Sequence, residues 1–253
     1  MLKNLFGNLP PVSKNILIIN VLFFLAKFVF RTKGIYLEDY LAIHYVASPL
    51  FQPYQFITSI FMHSDIMHIL FNMLGVILMG SHLERLWGPK RYLIFYFVTG
   101  IGASVCSNFV NGIEVYQLTG TFFPDAEINV MTTVVHSGGG FEYMREVIDP
   151  GSLNLSQLDI LSGIYVVPEL GASGALYGVL MAFALLFPNT EFMLMFPPIP
   201  IKAKWLALIL GGVALYSGIS GSMGGYAHFA HLGGMLFGFI MIMIWRRDKQ
   251  NFY

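Results

Sequence analysis

Gly171-Ala172-Ser173-Gly174-Ala175-Leu176-Tyr177-Gly178 opens an apolar run at 173–187, and Ala230-His231-Leu232-Gly233-Gly234-Met235-Leu236-Phe237-Gly238 lies near the start of another at 228–245. A serine and a histidine thus stand near the mouths of two hydrophobic segments, each followed by glycines four residues apart. Gly174 with Gly178, and Gly234 with Gly238, form small-x-x-x-small faces that let membrane helices approach backbone to backbone. The pattern predicts that these two segments pack as helices and bring Ser173 beside His231.

The rest of the chain agrees with a membrane setting. Of 253 residues, 56% are hydrophobic and only 11% charged, and the mean hydropathy is +0.66; a soluble domain carries about a quarter charged residues. Fourteen Lys+Arg balance fourteen Asp+Glu, without the basic excess that nucleic-acid binding requires, so nucleic acid is excluded as a partner and the lipid bilayer is the expected one. Cys106 is the single cysteine, and no Cys/His cluster has zinc-ligand spacing, so neither a metal nor a disulfide is expected. Apolar runs at 15–30, 66–83, 91–109, 173–187, 203–220 and 228–245 approach the length that crosses about 30 Å of hydrocarbon. The expected architecture is an all-α polytopic membrane protein, a single domain over 1–253 built as a bundle of six transmembrane helices. No A-x-A cleavage site follows the first run, which reads as a retained helix, with Lys27 snorkelling outward.

Lys3, Lys14, Arg85, Lys90, Arg91, Lys202, Lys204, Arg246, Arg247 and Lys249 all fall at alternate ends of the runs, which places those ends and both termini on the cytoplasmic side. Two connections on the opposite side stand out. Residues 31–63 hold Tyr36, Tyr40, Tyr45, Phe51, Tyr54 and Phe56, rings suited to a membrane-associated first loop; His44 and His63 read there most simply as interfacial polar groups, with contact of His63 to the oxyanion face as the alternative. Residues 110–170 form a long, acidic extracytoplasmic insertion between the third and fourth helices, carrying Gly138-Gly139-Gly140 and exceeding ordinary loop length.

Depth links the polar residues inside the runs. At 1.5 Å per residue, Ser173 lies about 22 Å above the helix end at Pro188, and His231 about 22 Å above Arg246. His68 and Asn72 lie about 24 and 18 Å above Glu84, four residues apart on one helix face. Ser173 with His231 is the nucleophile-and-base pairing of acyl transfer. The Asn72 amide, the His68 imidazole and the Ser173 backbone N–H are the available oxyanion donors. No acidic third member is apparent, which makes the pair a dyad. His228 sits about one turn higher and reads as a helix-start residue.

These residues, in this order, resemble the rhomboid family of intramembrane serine proteases. His68-Ile69-Leu70-Phe71-Asn72 matches its H-x-x-x-N, preceded by Met62-His63 and followed by Glu84-x-x-x-Gly88-x-x-Arg91. Gly171-Ala172-Ser173-Gly174 matches its G-x-S-G, and Ala230 to Gly238 its A-H-x-x-G-x-x-x-G. The resemblance implies Ser173 as nucleophile, His231 as general base and acid, and Tyr177 stacked beneath the imidazole. His68, Asn72 and the Ser173 N–H would form the oxyanion hole. It also implies transmembrane protein substrates cleaved near their outer end, no cofactor, and a bacterial cytoplasmic membrane. Many relatives carry Trp-Arg near the end of the first loop, where this chain has Pro53-Tyr54-Gln55. Two other functions fit parts of the pattern. A rhomboid-fold protein that only binds transmembrane clients generally lacks the Ser or the His. A transporter would continue its polar groups toward the cytoplasm, and below Ser173 and His231 both helices become apolar.

Overall fold

The computed structural model describes residues 9–122, 154–193, 198–220 and 226–247. Helix α1 (Pro11–Arg31) is followed by two short helices, α2 (Leu37–Leu41) and α3 (Gln55–Thr58), and a 3-10 turn, Ser59–Phe61. A continuous helical segment, Ile66–Trp87, comprises α4 (Ile66–Gly75), a π turn at Val76–Gly80 and α5 (Ser81–Trp87). Then come α6 (Pro89–Thr119), α7 (Leu155–Val166), α8 (Ser173–Leu186), the antiparallel hairpin β1 (Glu191–Met193) and β2 (Pro200–Lys202), α9 (Ala203–Ser220) and α10 (Tyr226–Arg247).

Among the described residues, five helical stretches are long and apolar enough to cross a membrane: Pro11–Arg31, Ile66–Trp87, Pro89–Thr119, Ala203–Ser220 and His228–Arg246. The apolar α8 has 14 residues, about 21 Å of helix. It is also the most enclosed, with Ala175, Val179, Leu180, Ala182 and Phe183 buried, whereas Leu22, Val29, Phe109, Leu208 and Ile219 present apolar side chains outward from the other helices. α10 packs against both α6 and α8, so the core forms around α8. Its basic end is closed by Trp87, Phe95 and Trp245, whose rings meet within 5.9 Å, with Arg91 over Trp245.

Helix ends explain much of this arrangement. α1 begins at Pro10-Pro11 with no side-chain cap of its own. The Glu84 carboxylate supplies one from a distance, accepting from Val12 N (2.8 Å), Ser13 N (2.7 Å) and Ser13 Oγ (2.7 Å). A negative charge there is favoured by the helix dipole. α4 carries its own N-cap in Asp65, whose Oδ1 accepts from Met67 N and His68 N at 2.9 Å; these bonds and Ser64 hold the Asp65 carboxyl below its usual range.

Two expectations about the connections change. The segment 110–170 is not all insertion: α6 continues to Thr119, and α7 begins at a capping box in which Asn154 Oδ1 accepts from Gln157 N and Gln157 Oε1 from Asn154 N. Leu161, Ile164 and Tyr165 of α7 pack on Tyr45 and Val115. Gly138-Gly139-Gly140, His136 and Arg145 lie outside the described residues. In the first loop, Gln55 is a central tie, beside Ser48 Oγ donating to Tyr165 O and Thr58 Oγ1 to Leu41 O. Its Oε1 accepts from His44 N and Gln52 N, and its Nε2 donates to Tyr40 O and Leu50 O. Tyr36, Tyr40 and Tyr54 face outward from this loop, but His44 and His63 are fully enclosed rather than interfacial.

Lys27 also departs from expectation, pointing inward and not toward the membrane surface. It is 5% exposed, and its Nζ donates to His63 O (3.0 Å) and Ser64 O (2.6 Å) while pairing with Glu38 Oε1 (2.8 Å). An ammonium has three donors, and all three are used to join α1, α2 and the segment leading into α4. Lys27→Met is expected to lower stability by about 3 kcal/mol, because removing one partner strands the other charge and two carbonyls. Adding Glu38→Gln to Lys27→Met is expected to recover part of the loss, read by thermal unfolding in detergent.

Candidate active site

Four segments meet at the end of the bundle opposite the basic residues. The approach to α8 is fixed first. Ile43 N donates to Glu169 O and Glu169 N to Ile43 O, both at 2.8 Å, and Gly171 N donates to Ser59 O at 2.9 Å. Gly171 has φ 126°, and a Cβ there would lie 2.7 Å from His68 Nε2, so glycine is needed both for the turn and for the nearness of His68. Ala172 then caps α8 and Ser173 is its first residue, which leaves the Ser173 N–H among the unpaired donors of a helix N-terminus.

Ser173 Oγ and His231 Nε2 are 2.8 Å apart. The Tyr177 ring, one turn beyond Ser173, lies parallel to the imidazole with centroids 4.2 Å apart and planes at 1°. His231 Nδ1 is buried without a hydrogen-bond partner among the described residues. His228 stands 6.0 Å from His231 ring to ring, and its Nε2 has no partner there.

The glycine faces meet in an ordered way. A Cβ on Gly234 would lie 1.9 Å from Gly174 O, and one on Gly238 2.7 Å from Gly178 O. The Cβ directions of Gly174 and Gly178 point elsewhere, to Ala103 and Thr99 of α6 at 2.5 Å. α8 is therefore held between α6 and α10, with the glycines of each helix admitting the next.

His68 and Asn72 project from α4 toward the same place. His68 Nδ1 is 3.0 Å from Ser64 Oγ, and that hydroxyl is 2.7 Å from Asp65 Oδ2. His68 Nε2 faces Gly171. Asn72 Nδ2 donates to His63 Nε2 at 2.9 Å. Burial is the main influence holding the His63 imidazole down to about 4, which keeps it a neutral acceptor for that amide at neutral pH. An amide nitrogen has two hydrogens, and the second is left over beside Gly171.

A cavity of about 360 Å³ opens at this point, lined by His68, Ser173 and His231 and also by Ser64, Asn111 and Glu169. Glu169, Lys27, Gln55 and Ser64 are residues whose placement sequence reasoning misses, whereas His63 meets Asn72, as its alternative reading expects. The signal for Lys27 was its charge inside an apolar run; for Glu169 it was an acid four residues before Ser173. Among the described residues no His/Cys/Asp/Glu group has the arrangement of a metal site.

A polytopic helical membrane protein with this serine and histidine adjoined at one end of its bundle is of the rhomboid class, and its relatives agree. The chain is 26% identical over 205 residues to "Rhomboid protein 1, mitochondrial" of Saccharomyces cerevisiae, covering 80% of this chain and 44% of that protein. It is 29% identical over 201 residues to "RHOMBOID-like protein 12, mitochondrial" of Arabidopsis thaliana, covering 77% and 46%. With "Rhomboid protease AarA" of Providencia stuartii it shares 24% over 187 residues, covering 71% and 51%. The chain spans about half the length of these relatives or less. It belongs to the family described as eukaryotic integral membrane protein (DUF1751), whose model matches residues 14–252. The expected bacterial cytoplasmic membrane finds no support, since the matched family is eukaryotic and two of these relatives are named as mitochondrial. Lys/Arg asymmetry orients a chain across a bilayer without naming the bilayer; the integral-membrane assignment stands.

Proposed function

We propose that this chain is an intramembrane serine endopeptidase that cleaves transmembrane segments of membrane-protein substrates near their outer end. In this reading α8 serves as a sixth membrane helix, buried among the five long ones, and the aromatic first loop lies at the membrane surface. The termini face the side that retains Lys and Arg. Within a single domain, α7 of the 110–170 connection adds Gly163 and Ile164 to the cavity wall as cover on the outer side. Ser173 Oγ attacks the scissile carbonyl while His231 Nε2 takes its proton, then returns it to the departing amine; water enters from the outer side and resolves the acyl-enzyme by the same proton path in reverse. The Ser173 N–H, the Asn72 amide and the His68 imidazole stabilise the tetrahedral oxyanion. Tyr177 holds the plane of the imidazole, a task that falls to stacking where no carboxylate orients Nδ1.

The observation that carries this reading is the 2.8 Å approach of Ser173 Oγ to His231 Nε2 beside a cavity that also exposes His68. Its test is intact-mass analysis of detergent-purified protein after a fluorophosphonate serine probe. One adduct is expected on the wild type and none on Ser173→Ala or His231→Ala. Folded wild type that takes no adduct and cleaves no transmembrane substrate would favour a protein that binds such clients without cutting them.

A further inference from the structure

We propose that Glu169 forms a substrate subsite beside Ser173, selecting a residue whose side chain donates a hydrogen bond. This rests on the proteolytic reading of the cavity and adds a substrate preference to it.

The cavity wall is divided in character. Ile43, Ile60, Ala103, Ile164, Val167 and Leu170 make it apolar, and the Glu169 carboxyl lies among them with Asn111. Both side-chain hydrogen bonds of Glu169 end on the same oxygen: Ser107 Oγ donates to Oε1 at 2.5 Å, and Asn111 Nδ2 at 3.4 Å. A carboxyl group has acceptor capacity on two oxygens, so one remains to be satisfied. Asn111 Oδ1, in the same wall, is buried without a partner among the described residues. Among the described residues two acceptors thus lack donors, and the ion pair of Lys27 with Glu38 is elsewhere.

Apolar substrate side chains would leave these groups unpaired after closing off water, and an unpaired buried polar group is penalised. A hydroxyl, amide or ammonium on the substrate removes the penalty. Burial also pushes the Glu169 carboxyl up to about 7. Around neutral pH it is therefore populated both as a carboxylate, whose open oxygen accepts from a donor, and as a neutral acid, whose hydroxyl lies on that oxygen; the carboxylate carries the preference, and Asn111 Oδ1 accepts beside either form. The Glu169 backbone already ties the first loop to the approach of α8 through Ile43. A purely structural side chain would clamp that approach to α6 and affect every substrate equally, whereas a subsite changes the ranking among substrates.

The test is a transmembrane substrate panel in which near-isosteric pairs, Thr against Val and Asn against Leu, are placed in turn at each of the four positions on either side of the cleaved bond. For the wild type, kcat/KM at one position is expected to favour the donor by about tenfold or more, since a site built to hydrogen-bond discriminates strongly against an analogue lacking the group. Glu169→Leu and Glu169→Gln are both expected to bring the ratio close to one, the Gln because its one oxygen stays with Ser107 and Asn111 and its NH2, a donor, takes the open side. Glu169→Ala serves as a second variant that empties the position instead of filling it. The same peptides, fluorescently labelled, are measured for binding to Ser173→Ala, with and without the Glu169 substitutions. A donor preference in binding that follows Glu169, in a protein that cleaves nothing, keeps the subsite while removing proteolysis. A wild type indifferent to donors at every position in cleavage, and in binding where nothing is cleaved, overturns the subsite, as does a preference that survives both Glu169→Leu and Glu169→Ala.

Discussion

Ser173→Ala and His231→Ala are each expected to reduce cleavage of a transmembrane substrate to background with the fold intact, and the double variant is expected to be no slower than either single one. In a serine hydrolase measured this way, loss of the nucleophile or the base lowers kcat by roughly a million-fold, and combining the losses adds little. The reason is that a base without its nucleophile has no proton to move. In the proposed mechanism the pair acts as a dyad: His231 Nε2 meets Ser173 Oγ at 2.8 Å and Nδ1 has no partner among the described residues. Ser173→Ala removes only one oxygen, and the imidazole lost in His231→Ala borders the open cavity, so its space joins that cavity and leaves no sealed void. Thermal unfolding should therefore change little. Two independent, multiplying losses would mean that the residues act in separate steps and would sink the dyad mechanism.

What was legible in the sequence, and what was not, divides along a physical line. Depth along a helix is readable, because the rise per residue is constant; that is why Ser173, His231, His68 and Asn72 align from counting alone. Close approach is readable where glycines recur every four residues, as at Gly234 and Gly238. The direction in which a lone polar side chain points is not encoded in this way. Lys27 lies in an apolar run and reads as a snorkelling residue, yet its partners are the backbone carbonyls of His63 and Ser64, groups that every residue possesses and no sequence marks. Glu169 likewise finds Ser107 and Asn111 on a helix whose sequence gives no reason to couple them. α7 was missed for a different reason: it is a short helix inside a long polar connection. Its one local signature, Asn154 with Gln157 three residues on, is the capping box.

The other large effect should come from a single added methyl group that belongs to no reacting residue. Gly234→Ala would place a Cβ 1.9 Å from Gly174 O and 2.9 Å from Gly174 C, and this obstacle is backbone, which no rotamer change relieves. Restoring ordinary contact requires α8 and α10 to part by about 1.5 Å, given carbon contact distances near 3.5 Å. Ser173 heads α8 and His231 lies one turn before Gly234's neighbourhood on α10, so separating the helices stretches their 2.8 Å contact beyond hydrogen-bond range. Misplacement by about 1 Å lowers catalysis roughly 100-fold, so kcat/KM should fall at least that far. Overpacking adds a destabilisation of about 1–3 kcal/mol. Gly212→Ala is the matched control: its Cβ meets nothing within 4 Å, it lies inside α9, and replacing a helix-interior glycine by alanine raises stability by about 0.5–1 kcal/mol. If Gly234→Ala unfolds and cleaves like the wild type, contact between the two glycine faces does not hold the dyad together, and the link drawn here between packing and chemistry fails.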